Sequence, residues 1–257
     1  MNATFDFEPV VAAAVFTGAR VSGLMVFCPF LGSDAVPIPV KAALTVAITA
    51  LLHPLRGPVA LAAGPWQWAQ IALGEAMIGL LLGLAANFLF EAALLAGQIL
   101  GVQIGYSLAN VFDPNTQADT PVLSSLHQMA ALLIYLSLDV HHWLLRALAR
   151  SFAYLPPRSP VATGAVAEGL LHAAGGIFLC GLQIAAPSLA ATLVADVALG
   201  FLGKASPQLP VLFVGIAVKN LLGLAVLLGA MAYWPQLFNE QFAKGVRLGE
   251  SLLHLAR

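Results

Sequence analysis

The stretch "WQWAQIALGEAMIGLLLGLAANFLFEAALLAGQIL", from Trp66 to Leu100, decides the fold class of this chain. It is almost wholly apolar, and its only charged residues are Glu75 and Glu91. A helix needs roughly 20 apolar residues to cross a bilayer. The stretch is therefore too long for one upright span, and we predict that it bends near Asn87–Glu91. A run of this length and composition belongs in lipid or in a closely packed bundle of helices.

The composition of the whole chain agrees with this stretch. Of the 257 residues, 60% are hydrophobic and only 9% are charged, and the mean hydropathy is +0.90. Soluble domains have about a quarter of their residues charged, so this chain lacks the polar surface of a water-soluble globule. It is predicted to be an integral membrane protein. The net charge of −1 and the lack of a basic run argue against a nucleic-acid partner.

Six apolar segments approach the length of a membrane span. They are Val10–Leu31, Val36–Leu52, Trp66–Leu100, Val122–Leu138, Ala173–Leu199 and Leu209–Tyr233. None shows the period-2 alternation of a half-buried strand. The sequence therefore predicts an all-α polytopic membrane protein with about six apolar helical segments. Several segments are expected to be broken by proline, Pro187 among them, because proline removes a backbone donor and blocks the continuing helix.

Basic residues predict an orientation in the membrane. With six spans, one side receives Arg56, Arg146, Arg150, Arg158, Lys244, Arg247 and Arg257. The other side receives Lys204, with Lys41 marginal. By the positive-inside rule, both termini are predicted to be cytoplasmic. The polar loop Gly105–Leu123 would then face the outside.

Charged side chains inside or close to the apolar segments are candidate functional residues. They are Arg20, Lys41, Glu75, Glu91, Asp196 and Lys219. A charge near the bilayer centre costs about 2.5–3.5 kcal/mol, so such groups face protein or water. Two explanations compete: an ion or proton path through the chain, and burial against partner subunits. Nothing resembles a proton relay of regularly spaced acids, which favours burial at interfaces.

Glycines recur at a spacing of four residues. Gly97, Gly101 and Gly105 share one helix face that leads into the polar loop, and Gly79 and Gly83 form a further pair upstream. Small residues at this spacing let helix backbones approach closely in lipid. We predict that these glycines are helix-packing positions, either within the monomer or against another chain. The spacing alone does not separate the two.

No motif indicates catalysis. The sequence has no P-loop, no dinucleotide fingerprint and no HExxH, and its His, Cys and Asp residues show no metal-ligand spacing. The segment "GYSLA", with Ser107, has part of a GxSxG nucleophile elbow but lacks the second glycine and the strand–turn–helix context. The chain is predicted not to be an enzyme, with no catalytic residue, cofactor or metal ligand.

Four blocks of the sequence resemble one known family. They are "ARVSGLMVFCPFLG" (19–32), "AGQILGVQIGYSLANVFDPNTQADTPVL" (96–123), "VHHWLLRALARSFAYLP" (140–156) and "ALGFLGKASPQLPVLFVGIAVKNLLGL" (198–224). In these blocks the chain resembles the FliR family of flagellar biosynthetic proteins, whose injectisome counterparts are the SctT export-gate components. Two departures from the family pattern are Asp139-Val140 before His141, and Lys204 where arginine is common. Neither departure touches the central loop.

The resemblance implies a place and a set of partners. It implies a core subunit of the flagellar type III export gate, in the bacterial inner membrane at the flagellar basal body. The implied partners are FliP-like and FliQ-like subunits, the large export-gate protein, an FlhB-like switch protein, unfolded flagellar export substrates and membrane lipid. It further implies that about 1–205 is a FliP-like part and that about 206–257 is a FliQ-like part.

The resemblance also implies a role for the polar loop. In this family the matching loop projects into the export channel and helps to plug it. The implied plug residues are Tyr106, Leu108, Asn110, Val111, Phe112, Asp113, Pro114 and Asn115. Apolar Leu108, Val111 and Phe112 suit a constriction, because hydrophobic narrowing gates a pore by dewetting. The simpler alternative is a solvated exterior loop.

Two other classes of function remain open on the sequence. A secondary transporter would use a broken helix at Pro187, with Asp196 and Lys219, to bind a small solute. An intramembrane hydrolase would need Ser107 to meet a histidine. We find no clear inverted repeat, which many transporter folds have.

Overall fold

The computed structural model of the chain describes residues 7–32, 36–55, 64–105, 122–155, 164–206, 208 and 210–255. The helices in these ranges are α1 (Phe7–Phe27), α2 (Ile38–Leu52), α3 (Pro65–Gln103), α4 (Val122–Ser137), α5 (Val140–Tyr154), α6 (Gly164–Ala205), α7 (Val211–Met231) and α8 (Trp234–Leu255). A short 3-10 turn, His53–Leu55, follows α2. The described ranges contain no strand, so the all-α prediction is confirmed over this part of the chain.

The helices match the six apolar segments. Five are long and apolar enough to cross a membrane within Glu8–Phe27, Ile38–Leu55, Pro65–Gln103, Val166–Ala205 and Phe213–Met231. A sixth candidate is the pair α4 and α5, which meet at a bend of 67°. The bend lies at Leu138 and Asp139, and Asp139 has a left-handed backbone with φ of 54°. The prediction of about six apolar helical segments is confirmed. Several of them were expected to be broken at proline, whereas the break between α4 and α5 lies at Leu138 and Asp139.

The structure differs from the sequence prediction at Pro187. Helix α6 passes through this proline without ending and runs for 42 residues. Proline removes a single backbone donor from the helix, while the hydrogen bonds on either side remain. In membrane helices, neighbouring groups re-satisfy the carbonyl that proline leaves free. Pro187 is therefore an interior residue of one helix and not the end of one.

Helix α3 is also continuous. Its helical backbone extends for 39 residues from Pro65 to Gln103, and no helix end lies at Asn87–Glu91. The described chain nevertheless divides into two compact units, and the division falls inside α3, between Phe88 and Leu89.

The first unit takes its described residues from Met1–Phe88, Leu136–Ala174 and Phe242–Arg257. Its core combines side chains from five helices and the chain just after α5. They are Val21, Leu24, Met25, Leu52, Ile78, Leu81, Leu82, Ala147, Leu148, Leu155 and Val166. Burial of such side chains contributes about 1.5–3 kcal/mol each, which fixes the first half of α3 against α1 and α5.

The second unit takes its residues from Leu89–Tyr135 and Gly175–Gln241. It contains the end of α3, α4 as far as Tyr135, most of α6, all of α7 and the start of α8. Aromatic contacts stabilise it: the rings of Phe90 and Tyr135 meet edge to face at 5.7 Å, and Trp234 lies 5.0 Å from the ring of His127. The predicted boundary between a FliP-like and a FliQ-like part lies between the end of α6 and the start of α7, and that division stays a prediction.

Candidate functional site

Arg20 is the centre of a buried polar cluster in the first unit. Its side chain is 0% exposed, and its Nε donates to Glu75 Oε2 at 2.7 Å. The two terminal nitrogens donate to Ser151 Oγ at 2.9 Å and to the carbonyl oxygen of Leu155 at 3.0 Å. The guanidinium also lies 4.5 Å above the ring of Phe152. One side chain on α1 thereby binds α3 and the C-terminal end of α5.

We call Arg20, Glu75, Ser151 and the Leu155 carbonyl the Arg20 cluster. A buried charge is strongly destabilising unless it is paired and its remaining donors are satisfied. Arginine suits this position because its rigid fork of donors contacts several acceptors at once. The cluster explains how two apolar helices can contain the charges of Arg20 and Glu75, because these opposite charges compensate each other inside the chain.

Glycines bring α1 and α3 together one turn from this ion pair. A Cβ placed on Gly79 would collide with the carbonyl oxygen of Arg20, and one on Gly83 would come within 2.6 Å of Leu24 O. On the facing helix, a Cβ on Gly23 would collide with the carbonyl oxygen of Ala76. The close approach needs glycine on both helices, and this contact is made within the chain.

Asp196 is the centre of a second polar cluster, in the second unit. Lys219 Nζ on α7 lies 3.0 Å from Asp196 Oδ1 on α6, and Gln103 Nε2 at the end of α3 donates to Asp196 Oδ2 at 3.0 Å. The cluster is less enclosed than the first, with the Lys219 side chain 20% exposed and that of Asp196 40% exposed. We call these three residues the Asp196 cluster. It joins α3, α6 and α7.

The glycines that lead to the polar loop have distinct surroundings. A Cβ on Gly97 would collide with the backbone of Ser124 at the start of α4, and Gly101 is buried on the same helix. Gly105 has φ of 91°, a conformation that side-chain-bearing residues rarely adopt. Its N–H donates to the carbonyl of Val102 at 3.2 Å, so Gly105 ends the helix by a turn typical of glycine.

Two further candidate charges are less buried. Lys41 Nζ donates to the carbonyl oxygen of Gly32 at 3.0 Å and so binds the turn after α1. Glu91 lies on an exposed part of α3 within the single chain. Arg20 and Glu75 are buried within the chain, and a role at interfaces with partner subunits stays a prediction for Lys41, Glu91, Asp196 and Lys219.

The implied plug residues, Tyr106 through Asn115, lie outside the residues that the structure describes, and so does Ser107 of the hydrolase alternative. The structure describes the two ends from which this segment leaves. Gly105 is the last described residue before the segment, and Val122 is the first residue of the helix that follows it. The close contact between Gly97 and Ser124 holds these two helices together, about two turns before Gly105 on the first helix and in the first turn of the second.

The corner between α4 and α5 brings together three groups that sequence spacing did not connect. Ligand atoms of Asp139, His141 and His142 lie within 4.8 Å of one another. The carboxylate does not cap α5, and its Oδ1 lies 3.4 Å from His142 Nδ1. The left-handed backbone of Asp139 produces this arrangement. Such groups are of the type that binds divalent metals, but they are largely exposed, and the cluster has no feature beyond proximity that points to an ion.

Sequence reasoning missed four contributors to these sites. Ser151 and the Leu155 carbonyl gave no signal, since they become partners of Arg20 only through the packing of α5. Gln103 was an unremarked polar residue at a helix end. Gly23 did have a signal, because Ala19 and Gly23 repeat the four-residue spacing of small residues that marks close helix contacts.

Comparison with known proteins places these features in one family. The family model of bacterial export proteins, family 1, matches residues 11–245, which include both clusters and the polar loop. The chain belongs to this family. It is 31% identical to the flagellar biosynthetic protein FliR of Escherichia coli over 227 residues, or 87% of each chain. It is 28% identical to that of Bacillus subtilis over 259 residues, covering 99% of this chain and 98% of the relative.

The resemblance to the FliR family inferred from the sequence blocks is thus confirmed. A third FliR protein, from Pectobacterium carotovorum, is 32% identical over 87% of this chain and 86% of its own. Together with the apolar helices, family membership makes this chain a membrane component of a bacterial protein export system.

Proposed function

We propose that this chain is a core subunit of the flagellar type III protein export gate. It packs with FliP-like and FliQ-like subunits in the bacterial inner membrane, at the flagellar basal body, and also meets the large export-gate protein and an FlhB-like switch protein. Unfolded flagellar substrates pass through the channel that these subunits share. The chain shapes and seals this channel and performs no chemical step.

The observation that carries the proposal is a family match over residues 11–245, with FliR proteins similar along nearly their whole length. The helix surfaces add support. In Ile38–Leu55, only 6% of the apolar window is buried within the chain, and in Phe213–Met231 the buried share is 17%. In Pro65–Gln103 the buried share is 61%. The first two segments therefore present apolar faces that lipid or neighbouring subunits must cover.

The proposed plug is the segment from Tyr106 to Thr120. Its apolar members Leu108, Val111 and Phe112 would narrow the channel, while the polar residues beside them stay hydrated. The geometry that supports this role is the fixed base of the segment. Gly97 and Ser124 join α3 and α4 in close contact, so a loop between these helices is anchored at both ends.

A co-purification experiment tests the proposal. The chain is tagged after Arg257 and extracted from native membranes in a mild detergent, and the proteins that co-purify are identified. Recovery of FliP-like and FliQ-like chains in one large complex is the expected result. Recovery of a monomer or homodimer, in a detergent that keeps a known membrane complex of the same cells intact, would contradict it.

A secondary transporter is the second candidate, and the Asp196 cluster is the observation that favours it. A partly exposed carboxylate and amine 3.0 Å apart have the charges to bind a small zwitterionic solute. The continuous path of α6 through Pro187 removes the broken helix that this class usually has at its binding site. A transporter would work without partner subunits, so the same purification separates the two functions.

A further inference from the structure

A groove between α5 and α8 is a candidate site separate from the Arg20 cluster, the Asp196 cluster and the polar loop. It lies in the first unit and has a volume of about 250 Å³. Trp143, Arg146 and Arg150 line it from α5, and Arg247 and Glu250 line it from α8, with small apolar side chains between them. We call it the arginine groove.

The charges in the groove favour an anion. Three guanidinium groups face one carboxylate, and that carboxylate is 3.6 Å from only one of them, Arg150 Nη1. Two positive charges are therefore in excess. An arginine fork matches the oxygens of a phosphate bidentately, and guanidinium groups on two helices can contact the same phosphate from two sides.

The two helices are amphipathic, and each has an exposed face that bears arginine. α5 and α8 separate apolar from polar residues on opposite faces more strongly than the other helices do. Neither is a candidate membrane span by itself. Their apolar faces are buried within the chain, as at Leu144 and Phe242, so the exposed arginine-bearing faces can extend to the lipid headgroups, as long basic side chains do at a membrane surface. A tryptophan such as Trp143 is enriched at the same depth.

The sequence also predicts the same membrane side for both helices. The positive-inside rule assigns Arg146, Arg150 and Arg247 to the cytoplasmic side, although Arg146 and Arg247 are far apart in the chain. The groove brings these arginines to one place. The cytoplasmic leaflet is where anionic lipids attract basic residues.

We propose that the arginine groove binds the phosphodiester headgroup of an anionic phospholipid, with Arg146 and Arg247 holding the phosphate. Trp143 lies beside the headgroup at the level of the glycerol. Arg150 stays paired with Glu250, whose carboxylate limits the positive charge of the groove. Such a lipid would join α5 to α8 and fix this face of the chain at the membrane surface. The inference uses the membrane location of the chain and does not depend on its role in the export gate.

Lipid-dependent quenching of tryptophan fluorescence tests the proposal. The full-length chain is reconstituted in phosphatidylcholine vesicles with increasing fractions of brominated phosphatidylglycerol, and brominated phosphatidylcholine serves as the zwitterionic reference. The signal of Trp143 is obtained by subtraction of a Trp143→Phe variant. We expect quenching that saturates at a low fraction of phosphatidylglycerol. Quenching that rises equally with both brominated lipids would overturn the proposal.

Charge variants distinguish binding of a lipid at the groove from general electrostatic attraction between the chain and anionic lipids. Each arginine near an anionic surface contributes about fivefold in affinity, so Arg146→Gln together with Arg247→Gln should weaken the preference about 25-fold. Lys204→Gln with Lys244→Gln removes the same charge from exposed positions outside the groove and should leave it nearly unchanged. Glu250→Gln should strengthen binding. Equal effects of the groove pair and the lysine pair would refute a specific site.

Inorganic phosphate distinguishes a lipid from a soluble ligand. Millimolar phosphate is added to the chain in pure phosphatidylcholine vesicles and in vesicles that contain phosphatidylglycerol. We expect it to displace the brominated anionic lipid weakly. Tight binding of free phosphate in pure phosphatidylcholine, with no preference for phosphatidylglycerol, would mean that the groove takes a soluble phosphate, and the lipid assignment would then be wrong.

Discussion

Arg20 Nε and Glu75 Oε2 lie 2.7 Å apart, with the two side chains only 0% and 2% exposed. This contact joins α1 to α3 in a region that water does not screen. A buried pair of this kind contributes little net stability compared with apolar residues, but the removal of one partner leaves an uncompensated charge in the interior. Each charge of the pair therefore requires the other. A chain with both charges, or with neither, is expected to be more stable than a chain with only one.

The first prediction follows from that asymmetry. Glu75→Leu leaves the Arg20 guanidinium without its carboxylate and should destabilise the chain by about 3–5 kcal/mol. The double variant Arg20→Leu/Glu75→Leu should recover much of that loss. Thermal unfolding of the detergent-solubilised chain measures both. Arg150→Gln, in a pair whose arginine is 65% exposed, is the control and should change stability by about 0–1 kcal/mol. A double variant less stable than Glu75→Leu would contradict the prediction.

The second prediction concerns the glycine contact beside the ion pair. Gly79→Ala should destabilise the first unit, because its new methyl group would collide with backbone atoms of α1 that have no freedom to move aside. We expect a loss of about 1–3 kcal/mol, the range for overpacking, or more. Gly23→Ala should behave alike from the opposite helix.

Gly74→Ala is the matched control for this prediction. It lies on the same helix, and a Cβ there would meet nothing within 4 Å. Alanine is the better helix former, by about 1 kcal/mol, so Gly74→Ala should be neutral or stabilising. Thermal unfolding of the three variants decides the matter. Equal effects of Gly79→Ala and Gly74→Ala would show that α1 and α3 do not approach as closely as described.

The elements of this fold were predictable because their signal is local. Runs such as Trp66–Leu100 are almost wholly apolar, and this alone predicts helices in a membrane. Pro187 shows the limit of local rules: its ring prevents one hydrogen bond, but a long helix in an apolar setting retains all the others. The tendency of proline to end helices predicted a break, but the surrounding structure keeps the helix continuous.

The partners of the charges could not be predicted, because they depend on packing between distant segments. Arg20 meets Ser151 from a helix that is more than a hundred residues further along the chain. Charge and depth in the membrane indicated only that Arg20 needed a partner. Asp139, His141 and His142 are a similar case, since their convergence depends on one left-handed residue at a helix corner.

The third prediction separates a packing role of the Asp196 cluster from solute binding. Asp196→Lys places a cation beside Lys219, so it should reduce flagellar motility when the variant replaces the native chain in cells. Reversal of the pair, with Asp196→Lys and Lys219→Asp together, restores opposite charges about 3.0 Å apart. It should recover most of the motility if the pair only joins α6 to α7. Swarming on soft agar, with membrane levels of each variant determined by immunoblot, measures the outcome.

Lys204→Glu is the control for this prediction, because it changes an exposed charge of the same helix. It should have little effect on motility. The charges of a bound solute are in a fixed order, so a solute that fits the native pair would not fit the reversed pair. A reversed pair that reaches normal membrane levels and remains non-motile would therefore favour solute binding by the Asp196 cluster over a role in packing alone.

The fourth prediction concerns the proposed plug. Deletion of Val111–Thr116 removes the apolar residues Val111 and Phe112, which would close the channel, together with the polar residues after them. The contacts that join α3 to α4, such as that of Gly97 with Ser124, are not part of the deletion. Assembly with the partner subunits should therefore remain, while the membrane becomes permeable to small ions.

Conductance of planar bilayers that contain the purified complex measures this permeability. A deletion of the same length at Pro157–Ala162, between α5 and α6, is the control, since it shortens a different connection without removing the proposed plug. The Val111–Thr116 variant should conduct and the control should not. Phe112→Asp should also conduct, because a charged side chain keeps a narrow pore wet where an aromatic one dewets it. An assembled complex with the Val111–Thr116 deletion that stays impermeable would show that the seal lies elsewhere.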